Sequence, residues 1–159
     1  MLRIIAAVTA FLLCALEGSR RSRELRERAA FLSETLLMLG RFSIGIRCAG
    51  RTSDELLESE HGSFAELVKT QRETCGDTRA AWESACGKLP KKREETALLR
   101  ELGISLCSAD KESALELLDR TAAELTTLKT QADDEYSKRG GAMLRIGALC
   151  GAGLAILIL

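Results

Sequence analysis

Six cysteines and a single histidine are the side chains here best suited to metal binding or nucleophilic chemistry, and their spacing supports neither. Cys14, Cys48, Cys75, Cys86, Cys107 and Cys150 form no C-x-x-C pair, and His61 stands near none of them. A zinc site needs three or four convergent ligands, usually supplied in close pairs. No structural metal is expected. Cys14 and Cys150 fall in apolar stretches, where Cys behaves as a small hydrophobe. The set reads as reduced thiols.

The carboxylates give no better constellation. Glu55, Glu58 and Glu60, and Asp133, Asp134 and Glu135, sit in charged runs, which ordinarily form solvated faces. There is no G-x-S-x-G, no Gly-rich phosphate loop, no H-E-x-x-H and no EF-hand loop. Catalysis and a cofactor are therefore not expected, and function is to be sought in binding and placement. Net charge is zero and no extended basic stripe is present, which argues against a nucleic-acid partner.

The elements that would do the placing are two apolar ends around a charged middle. Ile4 to Leu16 carries no charge, and neither does Ile146 to Leu159. The first stretch has the length of a signal-peptide core, but it lacks an A-x-A site at its end. Leu13-Cys14 only faintly matches a lipoprotein box. Immediately after Glu17 the chain reads Gly-Ser-Arg-Arg-Ser-Arg. Arg20, Arg21, Arg23, Arg26 and Arg28 make a dense basic flank, the feature that stops a hydrophobic segment at the cytoplasmic face. With Lys138 and Arg139 ahead of the second stretch, the count of basic residues places the middle in the cytoplasm and both termini outside. The expected domains are residues 1–17 as an N-terminal transmembrane anchor, 18–139 as a cytoplasmic helical domain and 140–159 as a C-terminal transmembrane helix.

The middle has a single Pro and is rich in Arg, Glu, Leu, Lys and Ala, a helix-forming composition. Leu25, Ala29, Leu32, Leu36 and Leu39 recur at near-heptad spacing, and so do Leu115, Leu118, Ala122, Leu125, Ala132 and Tyr136. Between these two long helices lie shorter ones. Thr52-Ser-Asp-Glu55 and Ser63-Phe-Ala-Glu66 both fit the capping box. Asp77 or Thr78 starts the helix that carries Trp82, and Leu98, Leu99, Leu102 and Leu106 share a face after Pro90. Ser108 or Asp110 caps the last long helix. The expected fold is all-α, an antiparallel helical bundle with short capping helices, flanked by an N-terminal and a C-terminal transmembrane helix.

Gly140-Gly141 falls where the domain would meet the membrane and reads as a hinge or helix break. Arg145, just beyond, would snorkel to the headgroups, so Arg20, Arg21, Arg23 and Arg145 mark the membrane interface. Gly147 and Gly151 form G-x-x-x-G, a membrane packing face that Ala6 and Ala10 could meet.

These residues resemble the stage III sporulation protein AB family over nearly the whole chain. The shared features are the short anchor with its basic flank, Ala81-Trp82, and the segment Leu102-Gly103-Ile-Ser-Leu106-Cys107-Ser-Ala-Asp110. The charged helix and Ile146-Gly147-Ala-Leu-Cys-Gly151 complete them. Cys107 replaces the second Gly of the family's L-G-x-x-L-G-x-x-D pattern. A Gln is missing near Ser113, and Arg51-Thr-Ser-Asp54 stands where a Pro-Leu pair is usual.

The resemblance implies a non-enzymatic platform in the mother-cell membrane, part of a type II secretion-like channel to the forespore. Its partners would be the stage III sporulation ATPase (protein AA), other membrane subunits of the same complex, lipid and further copies in a homo-oligomer. The bundle would be held by Leu25, Leu32, Leu36, Leu118 and Leu125. The alternatives are a membrane-anchored helical adaptor or sensor unrelated to sporulation, and a secreted or lipid-anchored enzyme whose first segment is removed.

Overall fold

The computed structural model describes residues 2–90, 93–107 and 109–158. In the terminal helices, side-chain surroundings at 2–7, 10, 11, 15, 143, 144, 147, 148, 151, 154, 155, 157 and 158 lie outside the description. The described chain is all-helical. In order come α1 (Leu2–Ala49), α2 (Ser53–Ser59), α3 (Ser63–Cys75), α4 (Thr78–Lys88), α5 (Glu94–Leu106), α6 (Lys111–Glu135), a π turn (Tyr136–Gly140) and α7 (Gly141–Ile158).

Two compact units result, one of residues 31–129 and one of residues 1–30 with 130–159. Within the first, the end of α1 lies beside the start of α6. Lys111 Nζ donates to the Arg47 carbonyl at 3.3 Å, and Arg47 lies 3.7 Å from Asp119. Leu32, Leu39 and Phe42 of α1 are fully buried, as are Leu118 and Leu125 of α6. Among the described residues one helix, Leu12–Ala49, is long and apolar enough to cross a membrane. Its stretch from Ala29 to Ile46 is also the stretch that supplies α1's core side chains, so packing uses much of that apolar surface.

The stripe on α6 differs from the expected one. Ala114, Leu118, Thr121, Leu125, Leu128 and Ala132 are buried, while Leu115 and Ala122 are half-buried and Tyr136 is 39% exposed. The observed positions alternate four and three without a gap, a stricter heptad than the sequence pattern suggests. Thr121 takes part because a Thr of this size fills a seam position that the apolar count passes over.

Local signals set the short helices. Thr52 caps α2 with a complete capping box, its hydroxyl accepting from the Glu55 N–H and Glu55 accepting from the Thr52 N–H. Asp77 caps α4 through the Ala80 N–H at 3.0 Å. Gly50 and Gly76 take positive φ, 57° and 73°, turning the chain after α1 and after α3. The second expected capping box does not form. Gly62, which has no side chain, takes the N-cap of α3 in place of Ser63, its carbonyl accepting from the Glu66 N–H at 2.9 Å, while the Ser63 hydroxyl and N–H both donate to Glu34 of α1. The tertiary carboxylate displaces the local one, and Glu66 turns to Lys69 at 3.2 Å and to His61 at 3.6 Å. Lys69 first, and His61 after it, hold the Glu66 carboxyl below its ordinary range.

The centre of this unit is aromatic. Phe31, Phe64 and Trp82 meet edge to face, with ring centroids 6.3 and 5.1 Å apart. Trp82 Nε1 donates to the Leu99 carbonyl at 2.6 Å, which satisfies the one polar atom of the ring. Among the described residues two acidic ones, Glu60 and Glu95, are also buried. Glu60, at the α2–α3 turn, pairs with Arg41 at 2.9 Å, and Lys69 donates to its carbonyl at 2.5 Å. Glu95, in the first turn of α5, lies 3.9 Å from Arg93.

Candidate functional site

The sequence points first to the basic flank. Arg20, Arg21 and Arg23 all lie on the exposed side of α1. They are not a bare cationic collar. Arg20 pairs with Glu24 at 3.3 Å, Arg21 with Glu17 at 3.2 Å and Arg23 with Glu27 at 3.1 Å. Such i,i+4 pairs on an exposed helix each contribute only ~0.3–0.5 kcal/mol. They leave a mixed-charge belt that is well solvated and only mildly basic. The opposite side of the same stretch is narrow and small. Gly18 and Ala29 are buried there, and Ser22, Leu25 and Arg28 are half-buried.

That small side meets the region after α6. Arg28 lies 3.5 Å from Glu135, and an ideal β-carbon on Gly140 would fall 3.6 Å from the Ser22 hydroxyl. Gly140 is buried and Gly141 is exposed. The expected helix break at this pair is not seen. Gly141 has ordinary right-handed helical angles (φ −71°, ψ −34°), and the chain passes from the π turn directly into α7. The irregularity is one wide turn, a common device where a helix must shift its facing side by one residue. Gly140 belongs to that turn because the ring of Tyr136 occupies the space a side chain would need, 2.9 Å from the ideal β-carbon.

Arg145 is exposed on α7. Gly147 and Gly151 have helical backbone in α7, and the packing face expected of them lies outside the described residues. The structure thus brings Gly140 together with Ser22.

The motif residues of the middle serve the fold. Ala81 and Trp82 are buried, and Gly103 is where the indole presses on α5. Asp110 starts α6, its carbonyl accepting from the Ala114 N–H at 2.8 Å. The Ser113 hydroxyl and N–H hold its carboxyl below the usual range.

What remains open is a cavity of about 300 Å³ between the end of α1, the start of α2, the end of α5 and the start of α6. Its floor is Ile46, Leu106 and Ala114, and its charged lining is Arg51 and Lys111. Cys107 is on the wall, and burial, aided by Asp54 and Asp77, pushes its thiol upward in pKa. Sequence reasoning missed this site because four separate segments build it. The only local hints are Gly50, which bends the chain around it, and Cys107 in place of a small residue. A second groove, of about 370 Å³, is lined by Glu58, Lys69, Arg72 and Glu73, and its charges are largely matched by the Arg72–Glu58 pair at 2.9 Å. Among the described residues no group of His, Cys, Asp and Glu could hold a metal ion.

Compared with known families, residues 3–159 match stage III sporulation protein AB, essentially the whole chain. The chain belongs to that family. No curated protein and no solved structure matches it.

Proposed function

We propose that this member of the stage III sporulation protein AB family is a non-enzymatic scaffold of the mother-cell membrane. Family membership gives it a role in sporulation. The finer reading is that both terminal helices span the membrane and the helical middle faces the cytoplasm. There it docks a secretion-type ATPase in a channel to the forespore.

One observation carries the reading. A packed helical unit, 31–129, is bracketed in sequence by helices whose outer parts are apolar, and its motif residues are consumed by the fold. The α7 helix has 18 residues, long enough at 1.5 Å per residue to cross most of a ~30 Å hydrocarbon core, and Arg145 near its start is placed to reach the headgroups. A protein whose motifs maintain shape and whose ends suit lipid is one that positions others.

The test is co-purification from membranes of sporulating cells. Tagged full-length chain solubilised in mild detergent is expected to retain the ATPase of the same complex. Cys48 and Cys75, both exposed, should be labelled by an impermeant maleimide only in inverted vesicles. Labelling of intact cells would sink the topology, and loss of the ATPase from folded chain would sink the docking role.

A further inference from the structure

We infer that the cavity at the α1–α2 and α5–α6 turns is a docking pocket for an acidic segment of a partner protein that inserts one large apolar side chain. This inference rests on the scaffold reading above and names the part of the surface that does the docking.

Three features lead to it. The floor, Ile46, Leu106 and Ala114, is the end of the core itself, each residue at most 6% exposed, so an entering side chain would complete apolar packing already begun. The two charged residues that line the cavity, Arg51 and Lys111, are both basic, and both are exposed at the rim. The volume, about 300 Å³, lies at the bottom of the range for small-molecule pockets (~300–1,000 Å³), which suits a single side chain better than a nucleotide or cofactor. An apolar anchor in a pocket with charges at the rim is the usual division of labour at a protein interface, the anchor supplying affinity and the rim steering and selecting. The charges of the lining itself favour carboxylates, with Asp54, Asp77 and Arg79 acting on Cys107 from outside the lining. Arg51 offers a planar fork of donors and Lys111 a compact charge, so two carboxylates flanking the apolar residue would each find a partner.

The other surfaces lack this pairing of floor and charge. The second groove carries charges of both signs, and the outward Leu37 and Ile44 of α1 line neither groove.

The experiment uses full-length chain in membranes, co-expressed with the ATPase. Wild-type association is measured first. The double charge reversal Arg51→Glu with Lys111→Glu is then compared with Arg120→Glu, an exposed α6 residue paired with Glu124 away from the cavity. The double variant should lose association by about tenfold or more and the control should not. An unchanged melting midpoint for the double variant shows that folding is intact. A photo-cross-linking p-benzoylphenylalanine in place of Ser53, which lines the cavity, should capture an acidic ATPase segment containing a large apolar residue. Undiminished association of the double variant, or cross-linking from position 53 to a second copy of this chain, overturns the pocket while leaving the scaffold role standing. Absence of wild-type association overturns both.

Discussion

An ideal β-carbon on Gly103 would lie 2.1 Å from Cδ1 of Trp82, closer than two carbon atoms not bonded to each other can approach. The two residues come from different helices and from different parts of the family pattern, and the contact explains why both are needed. Gly103→Ala must push the indole away, which also strains its hydrogen bond to the Leu99 carbonyl and its edge contact with Phe64. Overpacking of this kind costs about 1–3 kcal/mol. Trp82→Phe relieves the steric demand but leaves the site underfilled and removes the bond, for a loss of roughly 1–2 kcal/mol. Urea denaturation of both variants checks the pair. A Gly103→Ala chain as stable as wild type would show that the indole has room to move.

The two capping sequences, alike on paper, should respond differently. Thr52→Ala removes a formed box and is expected to destabilise by ~1 kcal/mol, with faster amide exchange in α2. Ser63→Ala removes a bond to Glu34 rather than a cap. It should leave exchange in the first turn of α3 nearly unchanged while loosening the α1–α3 contact. Equal exchange patterns in the two variants would contradict the assignment.

That contrast also marks where sequence reasoning stops. Thr52 and Asp77 were legible because cap and helix are neighbours in sequence. Ser63 was not, because a carboxylate 29 residues away accepts its N–H in place of Glu66 and the N-cap falls one residue earlier, at Gly62. The seams of α1 and α6 were legible in period, and Leu32, Leu39, Leu118 and Leu125 are buried as expected. On α6 the pattern strayed at Leu115 and Tyr136, since an apolar count cannot see that Thr121 packs inside or that a π turn rotates the chain at Tyr136–Gly140. The arginines were counted without their glutamates, although Glu17, Glu24 and Glu27 stand at pairing distance in the sequence itself. The cavity, made of four turns and helix ends, had no sequence pattern to announce it.

Acid should loosen the start of α6. The Asp110 carboxyl is held below its ordinary value of 3.8 by bonds from Ser113, so it contributes stability that is present above that value and lost as pH falls through the lower folded value. Asp110→Asn keeps a capping oxygen but not the titration. Melting curves between about pH 6 and pH 2 should therefore show wild type more stable at the upper end, with the difference closing on acidification. A constant difference across that range would mean the carboxylate is not what titrates.

Thiol chemistry should separate the cysteines of the helical unit. Burial pushes Cys86 from 9.0 to about 11, so at mildly alkaline pH it remains a protonated, enclosed thiol. Cys48 and Cys75 are exposed. Iodoacetamide should modify those two quickly and Cys86 only upon unfolding. The linkage has a definite sign. The folded chain keeps the Cys86 proton where the unfolded chain has lost it, so stability should fall as pH rises between 9.0 and about 11, and Cys86→Ala should lack that slope. Rapid modification of Cys86 in the folded chain would place it at the surface.

The contact between Ser22 and Gly140 can be tested as geometry. An ideal β-carbon on Gly140 lies 3.6 Å from the Ser22 hydroxyl oxygen, and that oxygen is itself one bond from its own β-carbon. The β-carbons would thus stand near the ~3.5–4.5 Å that a disulfide spans. Ser22→Cys with Gly140→Cys should oxidise to an internal disulfide under mild conditions, once the ring of Tyr136 yields the 2.9 Å contact. Ser22→Cys with Gly141→Cys should not, because Gly141 is exposed and meets nothing within 4 Å. The comparison also tests the π turn. If the segment relaxed to a regular α-helix, the residue facing Ser22 would rotate by about 100° per position, and a neighbour of Gly140 would take its place. Efficient cross-linking at 141 and none at 140 would show that the wide turn does not persist in the full-length protein.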